Sequence, residues 1–82
     1  MNNSFYNDFA ARFAASTLTS LVESFNSQVG NRGFNSVRAA HDRALIDELV
    51  RRGVDVSAVF DGTALSFAHH VELDNNRLVI RK

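Results

Sequence analysis

Between Ser4 and about Gln28 the chain contains no Gly or Pro, and Phe5, Phe9 and Phe13 recur at i, i+4 spacing, followed by Leu18, Leu21, Val22, Phe25 and Val29. That period predicts a helix over 4–28. At about 100° per residue its apolar positions form two faces, with the Phe trio centred about 150° around the helix from Leu21, Val22 and Phe25, on the side of Glu23 and Ser27. A straight helix cannot turn both faces toward one core. Either it bends at Ser16-Thr17-Leu18-Thr19-Ser20, where Ser, Thr and β-branching weaken helicity, or one stripe serves a partner.

Gly30-Asn31-Arg32-Gly33 reads as an interhelical turn, since it lacks the Lys and Ser/Thr of a phosphate loop. A second helix is expected over 36–52, capped by Asn35 or Ser36 and stopped by Gly53. Leu45, Ile46, Leu49 and Val50 form its apolar face, and Arg43, Asp47, Glu48, Arg51 and Arg52 its solvent side.

Past Gly53 the period changes to two. Val54, Val56, Ala58 and Phe60 alternate with Asp55, Ser57 and Val59; Asp61-Gly62 supplies a two-residue turn; Leu65, Phe67, His69, Val71 and Leu73 continue the alternation. Asn75-Asn76 is a second turn, before Leu78 and Ile80. Closing the turns pairs Phe60 with Thr63, Ala58 with Leu65, Leu73 with Leu78 and Val71 with Ile80, which puts every apolar column on one face. The expected fold is α+β: two N-terminal helices packed on one face of a three-stranded antiparallel β-meander, with strands over about 54–60, 63–73 and 77–81, in a single small domain over 1–82.

The 82 residues are 45% hydrophobic and 22% charged, a composition that folds. A domain this small buries only about 60% of its unfolded surface, so its stability margin is thin. With no Cys, no disulfide framework or thiolate metal site can form, and a reducing cytoplasm is the expected compartment. The N-terminus has no signal-peptide pattern, and no segment reaches the roughly 18 apolar residues of a membrane span.

Positive and negative side chains number 9 each, so no bulk attraction to nucleic acid or lipid is implied. Residues 31–53 nevertheless carry five Arg against three carboxylates, and eight of the nine basic residues are Arg. His69-His70 is no metal pair on a strand, because neighbouring side chains point to opposite faces; His69 is expected half-buried in the sheet and His70 in solvent near Glu72 and Arg81. His41-Asp42 with the many serines lacks the strained nucleophile turn of a hydrolase triad. No cofactor is implied, and an enzymatic role is not expected.

Gly53-Val54-Asp55-Val56-Ser57-Ala58-Val59, after a helix over Leu45 to Arg52, is similar to the turn and early recognition helix of phage-repressor-type helix-turn-helix proteins. The resemblance spans about twenty residues. It implies a winged-helix-like DNA-binding regulator, a helix from Asp55 to Phe60, and Arg38, Arg43, Arg51 and Arg52 as phosphate contacts. Glu48 and Arg52 stand where such motifs are buried and apolar, and Leu49 where they are small. The first expectation is therefore a small non-enzymatic interaction or accessory module, a homodimer or the subunit of another protein, with Phe5, Tyr6, Phe9 and Phe13 as its interface.

Overall fold

In a computed structural model the chain is described over residues 4–30 and 35–81. Three helices, α1 (Ser4–Ala14), α2 (Leu18–Asn26) and α3 (Ser36–Arg51), precede a two-stranded antiparallel hairpin, β1 (Val71–Asp74) and β2 (Arg77–Ile80). The fold is α+β, but the expected two helices and three-stranded meander are both incorrect. The Gly30–Gly33 turn has positive φ at Gly30, and the rest of it lies outside the described residues.

The 4–28 helix divides at Ala15-Ser16-Thr17. Helix α1 closes with tight bonds from the Ala15 and Ser16 N–H groups to the Arg12 and Phe13 carbonyls. Thr17, in an extended conformation, then starts α2 as its N-cap, accepting the Ser20 N–H at 3.1 Å on Oγ1. The break turns both apolar faces inward, so Leu21 and Phe25 enter the core from α2 and Phe13 from α1.

Helix α3 starts at the expected cap, Asn35, whose side chain accepts the Arg38 N–H. Its face differs from the expected one. Leu45, Ile46 and Leu49 are buried, but Val50 is 53% exposed, while Glu48 and Asp42 are buried. The helix is covered on two sides, by α1 as well as by the core below, so its buried arc rotates toward Asp42, Ala44 and Glu48.

The expected strand 54–60 does not form, and of 63–73 only residues 71–73 are strand, as part of β1; around Asp55 and Asp61 side chains compete for the backbone donors. The Asp55 carboxylate accepts the Ser57 N–H, and a single turn follows in which the Val59 and Phe60 N–H groups bond the Val56 carbonyl. Val56 and Val59 are buried at three-residue spacing, with Ala58 in solvent. The Asp61 carboxylate takes the Thr63 and Ala64 N–H groups, so the connection is a four-residue Asx loop; Phe60 bridges Leu65 directly, and the pairs Phe60–Thr63 and Ala58–Leu65 are absent. Phe67 stacks on Phe25, ring centres 4.5 Å apart.

The hairpin itself has the register that Asn75-Asn76 predicts, Val71 opposite Ile80 and Leu73 opposite Leu78, with φ of 54° and 63° at the two Asn. Asp55 lies parallel to β2 on its other side: its N–H bonds the Asn76 carbonyl and its carbonyl accepts the Leu78 N–H. β2 is thus the middle element. On the outer edge of β1, the Asn26 carboxamide bonds both the N–H and C=O of Val71, at 2.8 and 2.9 Å.

Candidate interaction face on the first helix

Helix α1 lies on α3 through one aromatic side. Phe9 and Phe13 stack at 6.2 Å, and both meet the His41 ring nearly edge-on, at 5.0 and 5.2 Å. The His41 Nδ1 lies 3.1 Å from the buried Asp42 carboxylate, which also pairs with Arg38. Farther along, the Tyr6 hydroxyl donates to Asp47. That bond, with burial and the Asp47 charge, raises the Tyr6 pKa above its usual 10.0, against the pull of Arg43.

The expected interface residues thus divide. Phe13 is 4% exposed and belongs to the core, Tyr6 and Phe9 are half-buried against α3, and Phe5 is 49% exposed. The row Phe5, Phe9, Phe13 runs from solvent to core along one helix.

Glu48 and Arg52 anchor the far end of α1. Burial pushes the Glu48 carboxyl up, but hydrogen bonds from Arg51 and Arg52, with their charges, outweigh it and leave the pKa below the usual value. The Arg52 guanidinium bonds Glu48 through Nε at 2.6 Å and, through Nη2, the carbonyls of Phe13 at 2.9 Å and Ser16 at 2.7 Å, with Ala14 at 3.4 Å. A cation thereby caps the negative end of the α1 dipole. The expectation of solvated Glu48 and Arg52 missed this site, because the carbonyls that Arg52 bonds lie more than thirty residues away in the chain.

The four Arg expected to contact phosphate face carboxylates of α3 itself: Arg38 pairs with Asp42, Arg43 with Asp47, and Arg51 and Arg52 with Glu48. The recognition helix required over 55–60 is a single turn. His69, expected half-buried, is exposed, as is His70. Among the described residues no group of three or more His, Asp or Glu could hold a metal ion, and no helix is long and apolar enough to cross a membrane.

Grooves among the described residues border these elements. One of about 190 Å³ runs beside α1 between Tyr6, Ala10, Ala44 and Asp47. Another of about 250 Å³ lies between α2 and β1, lined by Thr19, Val22, Glu23 and Leu73. Both fall below the roughly 300–1,000 Å³ of ordinary ligand pockets.

The chain matches no protein-family model, no curated protein and no solved structure.

Proposed function

We propose that this chain is a small protein-interaction or accessory module with no catalytic role of its own, and that it self-associates through the aromatic face of α1. One observation carries the reading. Phe5, half exposed, continues the Phe9–Phe13 row that is seated on α3, so the helix presents more aromatic surface than its own chain covers. Tyr6 at the margin offers a hydroxyl already oriented by Asp47, and aromatic residues of this kind dominate protein interfaces. The exposed Val50 and Val37 on α3 are further apolar surface outside the core.

Light scattering on a size-exclusion column over a hundredfold concentration range tests it. A mass near twice 9.1 kDa is expected, and Phe5→Ser should return a folded monomer with an unchanged circular-dichroism spectrum. A strict monomer at every concentration would count against self-association; a dimer indifferent to Phe5→Ser would move the interface elsewhere.

A further inference from the structure

The break between α1 and α2 is built from bonds that stand in for a continuous helix. In an unbroken helix the carbonyls of Phe13, Ala14 and Ser16 would accept the N–H groups of Thr17, Leu18 and Ser20. Here Arg52 occupies all three carbonyls, and the Thr17 hydroxyl occupies the Ser20 N–H. Nothing in Ala15-Ser16-Thr17 itself forbids helix, for the segment holds neither Gly nor Pro. If Arg52 and Thr17 let go, the backbone groups they hold have partners waiting within the same segment.

Straightening has a geometric consequence. The Phe9–Phe13 face and the Leu21–Phe25 face lie about 120° apart on a continuous helix, so with α2 seated in the core α1 would point its aromatic side away from its own α3. The surface it vacates, His41, Asp47, Glu48 and Arg52, is the one shaped to receive it. We infer that α1 exchanges between two copies of this chain: residues 15–17 become helical, and each α1 seats on the α3 of the other copy with the Tyr6, Phe9 and Phe13 side-chain contacts it makes here. The inference rests on the self-association reading above for the existence of a dimer and differs from it on Phe5, which the exchange leaves in solvent, so a dimer that survives Phe5→Ser points to the exchanged form. The exchange carries the aromatic packing and the Tyr6–Asp47 bond over to the other copy and gives up the Arg52 bonds to the Phe13, Ala14 and Ser16 carbonyls, so the hinge residues and Arg52 set the balance between the closed and exchanged forms.

The test combines hinge variants with a cross-link. Ser16→Ala with Thr17→Ala removes the cap and raises helix propensity, and should strengthen dimerisation about tenfold per hinge. Ellipticity at 222 nm should rise as the dimer forms. Inserting Gly-Gly between Ser16 and Thr17 should abolish the dimer. The chain has no cysteine of its own, so Tyr6→Cys in one copy and Asp47→Cys in another, mixed, refolded together and treated with a short bismaleimide, should yield a covalent dimer. A dimer that forms but gives no cross-link between these positions would overturn the exchange and leave self-association standing. A dimer unaffected by the Gly-Gly insertion would also overturn it. A Ser16→Ala, Thr17→Ala chain that is folded and strictly monomeric would overturn both the exchange and the self-association reading.

Discussion

Replacing Arg52 by Met tests whether the Glu48–Arg52 anchor holds α1 in place. Met keeps the aliphatic stem and removes the guanidinium. Breaking a buried ion pair by deleting one partner costs about 3–5 kcal/mol, and that figure is a ceiling here. Arg51 still bonds Glu48, and the Arg52 side chain is 23% exposed, so water can partly replace it. Charge-assisted hydrogen bonds are worth about 1.5–3 kcal/mol and a cation at a helix C-terminus about 0.3–1 kcal/mol, about 2–4 kcal/mol together, and the partial exposure of Arg52 places the loss at the lower end, near 2–3 kcal/mol. A domain of this length has about 4–12 kcal/mol in total, so the variant should stay folded at 25 °C while its Tm falls by about 10 °C or more. Urea unfolding followed by far-UV circular dichroism measures the change directly. Acid titration gives a second readout. The lowered pKa of Glu48 means that its contribution is present above the unfolded value near 4.3 and is lost as pH falls through the lower folded value. Without Arg52 the burial of the carboxylate weighs more, its folded pKa rises, and acid unfolding should begin at higher pH. A loss below about 0.5 kcal/mol, no larger than that of the more exposed Arg51→Met, would show the anchor to be an ordinary solvated pair and refute the reasoning.

Three further outcomes are expected. Phe13→Ala should destabilise by about 3–5 kcal/mol and Phe5→Ala by under about 1 kcal/mol, because only Phe13 leaves a core cavity; equal losses in urea titrations would contradict the division of the aromatic row. Asn26→Ala leaves the buried N–H and C=O of Val71 without their partner and should cost about 2–3 kcal/mol, read by the same assay; a neutral result would mean that water restores both bonds. Tyr6 is the one tyrosine, so absorbance at 295 nm should titrate above 10.0, and its contribution to stability should be full below that pH and vanish as pH rises through the folded value. A midpoint at or below 10.0 would place its hydroxyl in water.

What could be read from the sequence and what could not have different physical origins. The two helical faces of residues 4–28, the Asn35 cap and the Asn75-Asn76 hairpin are consequences of local spacing and turn chemistry, and the structure contains each of them; the weak segment expected at 16–20 breaks at 15–17, with Leu18 to Ser20 already in α2. The strand over 54–60 and the first part of 63–73, up to β1, fail because alternation says which side chains prefer burial, not which groups hold the backbone N–H groups. Asp55 and Asp61 each take donors two or three residues ahead, their carboxyl pKa values lowered by those bonds, and the ladder cannot start. The same competition decides the candidate site. Glu48 and Arg52 looked like a solvated pair at i, i+4 spacing, and only the return of α1 across α3 converts them into a buried anchor.

On the proposed exchange, the aromatic row of α1 ties folding to association. Phe13 makes the helix part of the core, Phe5 leaves its other end open, and Arg52 holds the junction between α1 and α2. Any change that loosens the anchor should destabilise the closed monomer and, by the same step, free α1 for a second copy. Stability measured on such a variant should then depend on protein concentration, since binding to a second folded copy draws population away from the unfolded chain by mass action. Wild-type unfolding curves that shift upward with concentration, and Arg52→Met curves that shift more steeply, are the expected pair. Arg52→Met curves that superimpose over a hundredfold range would separate the anchor from association and leave it a purely internal device.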